Sequence, residues 1–205
     1  PTSIVSRKTH GAAGDFDIDL TPPATGIECR SGGATNDYQM IINFAGSVTV
    51  GSAAVTSGTG SVGSFSGSGS SQITVNLTGV TNVQRITATL FDVNNGISTG
   101  NVPVSMGVLV GDVNGNAAVN ASDVSLTKAQ VGQAVSGSNF REDVTVNGSI
   151  NSSDIALVQS QSGRTADLPS ILQPQSQGDS RDLGPWVAER LDEDIWLGIQ
   201  KIVDG

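Results

Sequence analysis

Apolar and polar residues alternate with period two through the first half of the chain. The alternation is clearest at residues 16–20 (FDIDL), 38–44 (YQMIINF), 47–50, 73–77 (ITVNL) and 85–91 (RITATLF). Successive side chains on a strand point to opposite faces, so each segment buries one face and wets the other. With turn residues between them, these segments predict antiparallel strands. Their spacing predicts a small β-sandwich over residues 1–109, starting near residue 3. The Gly/Ser-rich run at 57–71 contains Val62 and Phe65, and is read as two weak strands with tight turns rather than as a flexible linker.

From Val110 the pattern becomes loop-then-helix, and it does so twice. GDVNGNAAVNASDVSLTKAQVGQ from Gly111 aligns with EDVTVNGSINSSDIALVQSQSGR from Glu142. Asp112 falls on Asp143, Asn120 on Asn151, Asp123 on Asp154, Leu126 on Leu157 and Gly132 on Gly163, at a constant offset of 31. A duplicated supersecondary unit over 110–165 is the simplest account. Residues 166–184 are polar and Pro-containing and read as a linker, with Ile171 and Leu172 as a sticky spot. The last segment, 185–205, predicts an amphipathic helix. Pro185 suits a first turn and Gly205 an end, while Val187, Leu191, Ile195, Ile199 and Ile202 recur at helical spacing beside Trp186 and Trp196. Such a helix either caps the protein's own core or binds a partner.

Composition narrows the function. The 205 residues carry a formal charge of -9, with acidic residues concentrated in the second half, which disfavours nucleic acid and anionic membrane surfaces as partners. No apolar run approaches the roughly 20 residues needed to insert across a bilayer. The chain opens Pro1-Thr2-Ser3 without a basic and apolar leader, so it is expected to be a C-terminal fragment or to have lost a signal peptide. Cys29 is the sole cysteine and is read as a small buried apolar residue; pairing with the sole histidine, His10, for nucleophilic catalysis is disfavoured. Outside the repeats the acidic residues Asp15, Asp17, Asp19, Glu28, Asp37 and Asp92 are scattered, most at solvent-facing strand positions, so no catalytic carboxylate pair is expected. Residues 1–109 hold one Tyr, Tyr38, and no Trp, which gives sugar stacking little support and favours a spacer role.

The repeats carry the chemistry. Calcium takes six to eight oxygens, and a twelve-residue loop supplies them from positions 1, 3, 5, 7, 9 and 12, with position 7 using its carbonyl. Those positions are Asp112, Asn114, Asn116, Ala118, Asn120 and Asp123 in the first loop. In the second they are Asp143, Thr145, Asn147, Ser149, Asn151 and Asp154. Val119 and Ile150 occupy position 8, where paired loops are expected to form a short β contact. Asn and Asp also cap helices, so such turns can occur without metal; two loops in register favour the metal reading. Ala117 stands at position 6, where Gly normally supplies a positive φ, and is expected to carry strain of about 1 kcal/mol. Each loop offers two carboxylates, so an affinity of roughly 10⁻⁵ to 10⁻³ M is expected, suited to a structural ion.

Asp at position 12, the duplication and the single helix after each loop make this segment resemble the type I dockerins. The β region, with its Ser6-Arg7-Lys8-Thr9-His10-Gly11 and Glu28-Cys29-Arg30 elements, resembles more loosely a domain that precedes such repeats at the ends of large secreted bacterial proteins. Together these predict a mainly β chain with small α content: an antiparallel, Ig-like β-sandwich, an EF-hand-like dockerin module with two calcium ions, and a C-terminal helix. The resemblance implies an extracellular or cell-surface, non-catalytic module that binds a cohesin-like domain, commonly in polysaccharide degradation. By analogy Ala121, Ser122 and Lys128, with Ser152, Ser153 and Arg164 of the second repeat, are the recognition positions. The competing expectation is a calcium-rigidified terminal module that packs on its own β domain and has no cohesin partner.

Overall fold

A computed structural model describes residues 1–23 and 26–166, which lie in one compact unit. The expected terminal helix at 185–205, and the expected linker from residue 167 onward, fall outside the described residues.

Among the described residues nine strands build the β region: β1 (Ser3–Thr9), β2 (Asp15–Asp19), β3 (Ile27–Glu28), β4 (Tyr38–Val48), β5 (Ser52–Ser57), β6 (Ser61–Ser66), β7 (Ser70–Thr78), β8 (Gln84–Asn94) and β9 (Thr99–Val108). They form a five-stranded sheet in the order β2-β1-β4-β7-β6 and a four-stranded sheet in the order β3-β9-β8-β5. The period-two pattern sets the register. On one face of the first sheet Met40 lies opposite Val75 and Ile42 opposite Ile73, all fully buried. One residue out of phase, Gln39 lies opposite Asn76 and donates to its side-chain carbonyl at 2.9 Å. In the second sheet Ile86 faces Met106 and Ala88 faces Val104. These inward residues of both sheets join one apolar cluster, so the sheets bury each other's inner faces.

The Gly/Ser-rich run holds β6 and the start of β7, with Val62 and Phe65 packed against the core. One pairing departs from the antiparallel expectation: β3 runs parallel to β9. The chain changes sheets between β2 and β3, so no hairpin constrains the direction in which it enters. The alternation also failed to flag β9, which contains Pro103. Because β3 covers only Gly107 and Val108, β9 has a single neighbour at Pro103, an edge position of the kind that tolerates proline.

Two helices follow, α1 (Ala121–Gln130) and α2 (Ser152–Gln161). The chain leaves β9 without a spacer. Leu109 N donates to Glu28 O at 3.0 Å and Gly111 N to Cys29 O at 2.9 Å, so the first loop is an extension of the sheet. A second apolar cluster joins the two regions: Ile27 and Leu109 from the β side, and Val113, Val119, Val144, Val158 and Ala166 from the repeats.

Candidate metal-binding loops

Both loops fold around their first and twelfth residues. Asp112 accepts the amides of Gly115, Asn116 and Ala117 at 2.9–3.0 Å, and Asp143 accepts those of Asn147 and Gly148 at 3.2 and 2.9 Å. Asp123 takes the amides of Asn114 and Asn120, and Asp154 those of Thr145 and Asn151. Asn120 and Asn151 are the helix N-caps, and Asp123 and Asp154 sit in the first turn and close capping boxes with them. Capping thus explains part of these carboxylates' bonding. It does not explain why all four have no solvent exposure. Two buried anions in one loop repel, and among the described residues no basic side chain forms an ion pair with Asp112, Asp123 or Asp154. For Asp112, burial and then the neighbouring Asp123 raise the pKa against the pull of the backbone donors.

The other loop side chains at ligand positions offer hard oxygen donors: Asn114, Asn116 and Asn120 in the first loop, and Thr145, Asn147 and Asn151 in the second. The side-chain carbonyls of Asn114 and Asn116 are turned into the first loop by accepting the amides of Asn116 and Ala118, and Asn147 does the same with Ser149. The Thr145 hydroxyl reaches Asp154 at 2.8 Å. Such an all-oxygen set fits a hard dication such as calcium and does not suit a soft metal.

Backbone strain is divided between the loops. Ala117 has φ +67°, as expected at position 6, and Gly148 matches it at +86°. Position 4 is also left-handed, Gly115 at +74° in one loop and Val146 at +54° in the other. Each loop therefore carries one glycine and one strained residue, and the β-branched Val146 is the more unfavourable. The positive φ expected at Ala117 is present, and Val146 adds a second strained position that the loop pattern did not indicate.

The position-8 residues do not pair with each other through the backbone. Val119 instead exchanges bonds with the tail of the second repeat, accepting from Gly163 N at 2.8 Å and donating to Arg164 O at 2.9 Å. Ile150 O accepts from Gly132 N, the equivalent tail position of the first repeat, at 3.0 Å. Each loop is thus clasped by the other repeat's helix end, and Gly132 and Gly163, with φ +79° and +88°, make the turns.

The second loop also meets the β region through a buried network. Arg30 and Glu28, both without exposure, pair at 2.7 Å, and Ser6 donates to the same carboxylate. Burial alone raises Glu28, but the Arg30 charge, its hydrogen bonds and that of Ser6 outweigh it and hold the carboxyl below its ordinary range. Arg30 Nη1 lies 3.2 Å from His10 Nε2. Arginine only donates, so Nε2 accepts and the proton is on Nδ1, which donates to Asp143 Oδ2 at 2.9 Å. The imidazole stands edge-on to Phe16 and Phe140, whose rings stack at 5.4 Å. Asp143 is lowered: burial raises it, but the bonds from His10 and the loop amides prevail.

Sequence reasoning treated His10 only as a weak catalytic partner for Cys29 and grouped Glu28 with acidic residues that mostly face solvent. Both are wholly buried. The available signal was the pair of polar motifs around Ser6–His10 and Glu28–Arg30, set in strand-like sequence without alternation. Cys29 is buried as expected, its thiol is pushed up to about 12 by burial, and it approaches Arg141 O at 3.7 Å.

The six recognition positions, Ala121, Ser122, Lys128, Ser152, Ser153 and Arg164, are all exposed. The helices differ in what surrounds them. Gln161 of α2 accepts from Asn82 Nδ2 at 3.0 Å, and Val158 and Leu157 pack in the cluster shared with the β region. Leu126 of α1, equivalent to Leu157, is 41% exposed.

Residues 110–161 match the family model of the dockerin type I domain. No curated protein and no solved structure matches the chain. Type I dockerins bind calcium and, in a calcium-dependent manner, cohesins. The duplicated loops, the capped helices that follow them and the family match agree, and residues 110–161 are a type I dockerin domain.

Proposed function

We propose that this chain is a non-catalytic anchoring piece of an extracellular protein, in which the dockerin holds two calcium ions and docks onto a cohesin domain through α1, in the service of polysaccharide degradation. Asp112, Asn114, Asn116, Asn120 and Asp123, with the Ala118 carbonyl, hold one ion. Asp143, Thr145, Asn147, Asn151 and Asp154, with the Ser149 carbonyl, hold the other. The observation that carries the reading is the pair of unexposed carboxylates in each loop, which lack an ion-pairing base among the described residues outside His10. A dication offsets that repulsion and supplies the chemistry the loops need, which is charge neutralisation and cross-linking of each loop. The Ig-like β-sandwich acts as a mount.

The docking face follows from the difference between the helices. Ser122, Ser125, Leu126 and Ala129 recur at helical spacing and are exposed on α1, a small-residue surface with one apolar anchor. Both helices touch the shared cluster, through Val124 of α1 and Leu157 and Val158 of α2, but the half-buried Leu157 against the exposed Leu126 favours α1 over α2 as the docking helix. The same burial supports the second reading, in which the module is purely structural.

Calorimetric titration of the metal-stripped chain with calcium tests the first half. Two binding events with Kd of roughly 10⁻⁵ to 10⁻³ M are expected, and saturation at a hundred times Kd stabilises by about 2.7 kcal/mol per site. No heat and no change in melting temperature would overturn it. For the second half, binding to a panel of type I cohesin domains should be abolished by chelator and weakened at least tenfold by Leu126→Asp with an unchanged melt. Absence of binding to every cohesin leaves the structural reading.

A further inference from the structure

We propose that the β region is part of the second calcium site, with His10 as the positioning residue that holds the Asp143 carboxylate ready for the ion. The inference rests on the calcium reading above and adds to it a coupling between the two regions of the chain.

The two loops share their position-1 and position-12 aspartates but not their surroundings. At position 1 of the first loop, Asp112 Oδ2 is held by the Ala117 amide, a bond internal to the loop. At position 1 of the second, Asp143 Oδ2 is held by the matching Gly148 amide and also by His10 Nδ1 at 2.9 Å, across 133 residues of chain. The imidazole has no freedom to leave. It has no exposure, its other nitrogen is fixed by Arg30, and its faces and edges meet Phe16 and Phe140. The backbone enforces the same contact. Gly11 and Gly148 pass so close that a Cβ on Gly11 would lie 2.6 Å from Asn147 O, and one on Gly148 would lie 2.8 Å from His10 O. Ser31 N donates to Val144 O at 2.8 Å on the other side of Asp143. The second loop is thus braced on both flanks of its first ligand by the β region. Groups that orient a metal ligand commonly change affinity by about 10–100-fold when removed. By linkage, the ion that the braced loop binds must in turn stabilise the bracing contacts.

The full chain carries its own control. In one amide spectrum, Gly148 reports the second loop and Ala117 the first, because each donates to its loop's position-1 carboxylate. During calcium titration, His10→Phe, which keeps ring volume and loses the donor, should move the Gly148 midpoint at least tenfold to higher calcium and the Ala117 midpoint less than about twofold. His10→Asn, which places an N–H donor near Nδ1, should recover most of the affinity. Equal shifts at both loops, or the same shift in both variants, would overturn the proposal, since a merely structural role predicts either. Should His10→Phe not fold, the wild type decides: calcium must slow hydrogen exchange at the Ser31 amide, and an unchanged Ser31 refutes the coupling. If neither Gly148 nor Ala117 of the wild type responds to calcium, the calcium reading itself has failed. A response of both, without the His10 effect, overturns the coupling alone.

Discussion

Replacing Glu28 with Gln isolates the buried ion pair from packing, because the side chain's volume is kept and only its charge and one acceptor oxygen are lost. Glu28 accepts from Ser6 Oγ and from Arg30 N, Nε and Nη2, the last three at 2.7–2.9 Å. In Glu28→Gln the guanidinium keeps two carbonyls, Phe16 O at 2.8 Å and Ser6 O at 3.0 Å, but no negative partner at zero exposure. The new amide also points N–H groups at donors. Breaking one side of a buried pair typically costs about 3–5 kcal/mol. At about 2–4 °C per kcal/mol for a protein of this size, the melting temperature should fall by about 6–20 °C. Thermal melts followed by circular dichroism, on metal-stripped and calcium-loaded protein, read this directly. Arg7→Ala provides the comparison. Its pair with Asp17, also at 2.7 Å, is about one-third exposed, and its loss should cost about 0–1 kcal/mol. Acid adds a sign. The folded Glu28 carboxyl lies below its ordinary value of 4.5, so its contribution is complete above that value and is lost as pH falls through the lowered one. The gap between wild type and Glu28→Gln should therefore be full at neutral pH and shrink in acid. A drop of less than about 3 °C, no larger than that of Arg7→Ala, would refute the reasoning.

Two further outcomes are expected. Cys29, unexposed and with its thiol pushed up to about 12, should resist aromatic disulfide reagents in the native state and react only at the rate of global unfolding; prompt labelling would show the junction opening locally. Gly11→Ala should destabilise more than Gly33→Ala in chemical denaturation. Both sites have positive φ, +49° and +69°, and share a backbone penalty of about 1–2 kcal/mol. Only at Gly11 does the added carbon meet the backbone of the second loop, whereas at Gly33 it meets open space.

The dockerin was legible in the sequence because its information is local. Position-1 and position-12 aspartates, Asn caps and the position-6 turn all lie within twelve residues, so a repeat at constant offset reveals them without any tertiary knowledge. The strands at 38–44 and 85–91 were legible for the same reason, since Tyr38, Met40 and Ile42 on one and Ile86, Ala88 and Leu90 on the other recur with period two and face the core. What the sequence withheld depends on neighbours far along the chain. The segment holding Pro103 was not among the strands that alternation marked, and the two-residue β3 leaves that stretch of β9 open on one side. Val119 and Ile150 mark a β contact, but only the packing of the repeats decides that each is clasped by the opposite helix end.

The β region gives the sharpest division. Composition and alternation established that it is a β layer structure with an apolar interior and few charges to spare. They did not reveal that Ser6, His10, Glu28 and Arg30 leave the alternation to build a buried polar network, because a polar residue in a strand is wet in most contexts and its burial depends on a partner of matching charge and geometry. Glu28 and Arg30 are only two residues apart, but Ser6 and His10 lie 20–24 residues from the partners they bond, and 133 residues separate His10 from Asp143. Local sequence determined that two calcium-type loops would form. Tertiary structure alone decided that one of them would be built against a histidine from the other end of the chain, since hydrogen bonds and burial act on distance in space, to which sequence separation is blind.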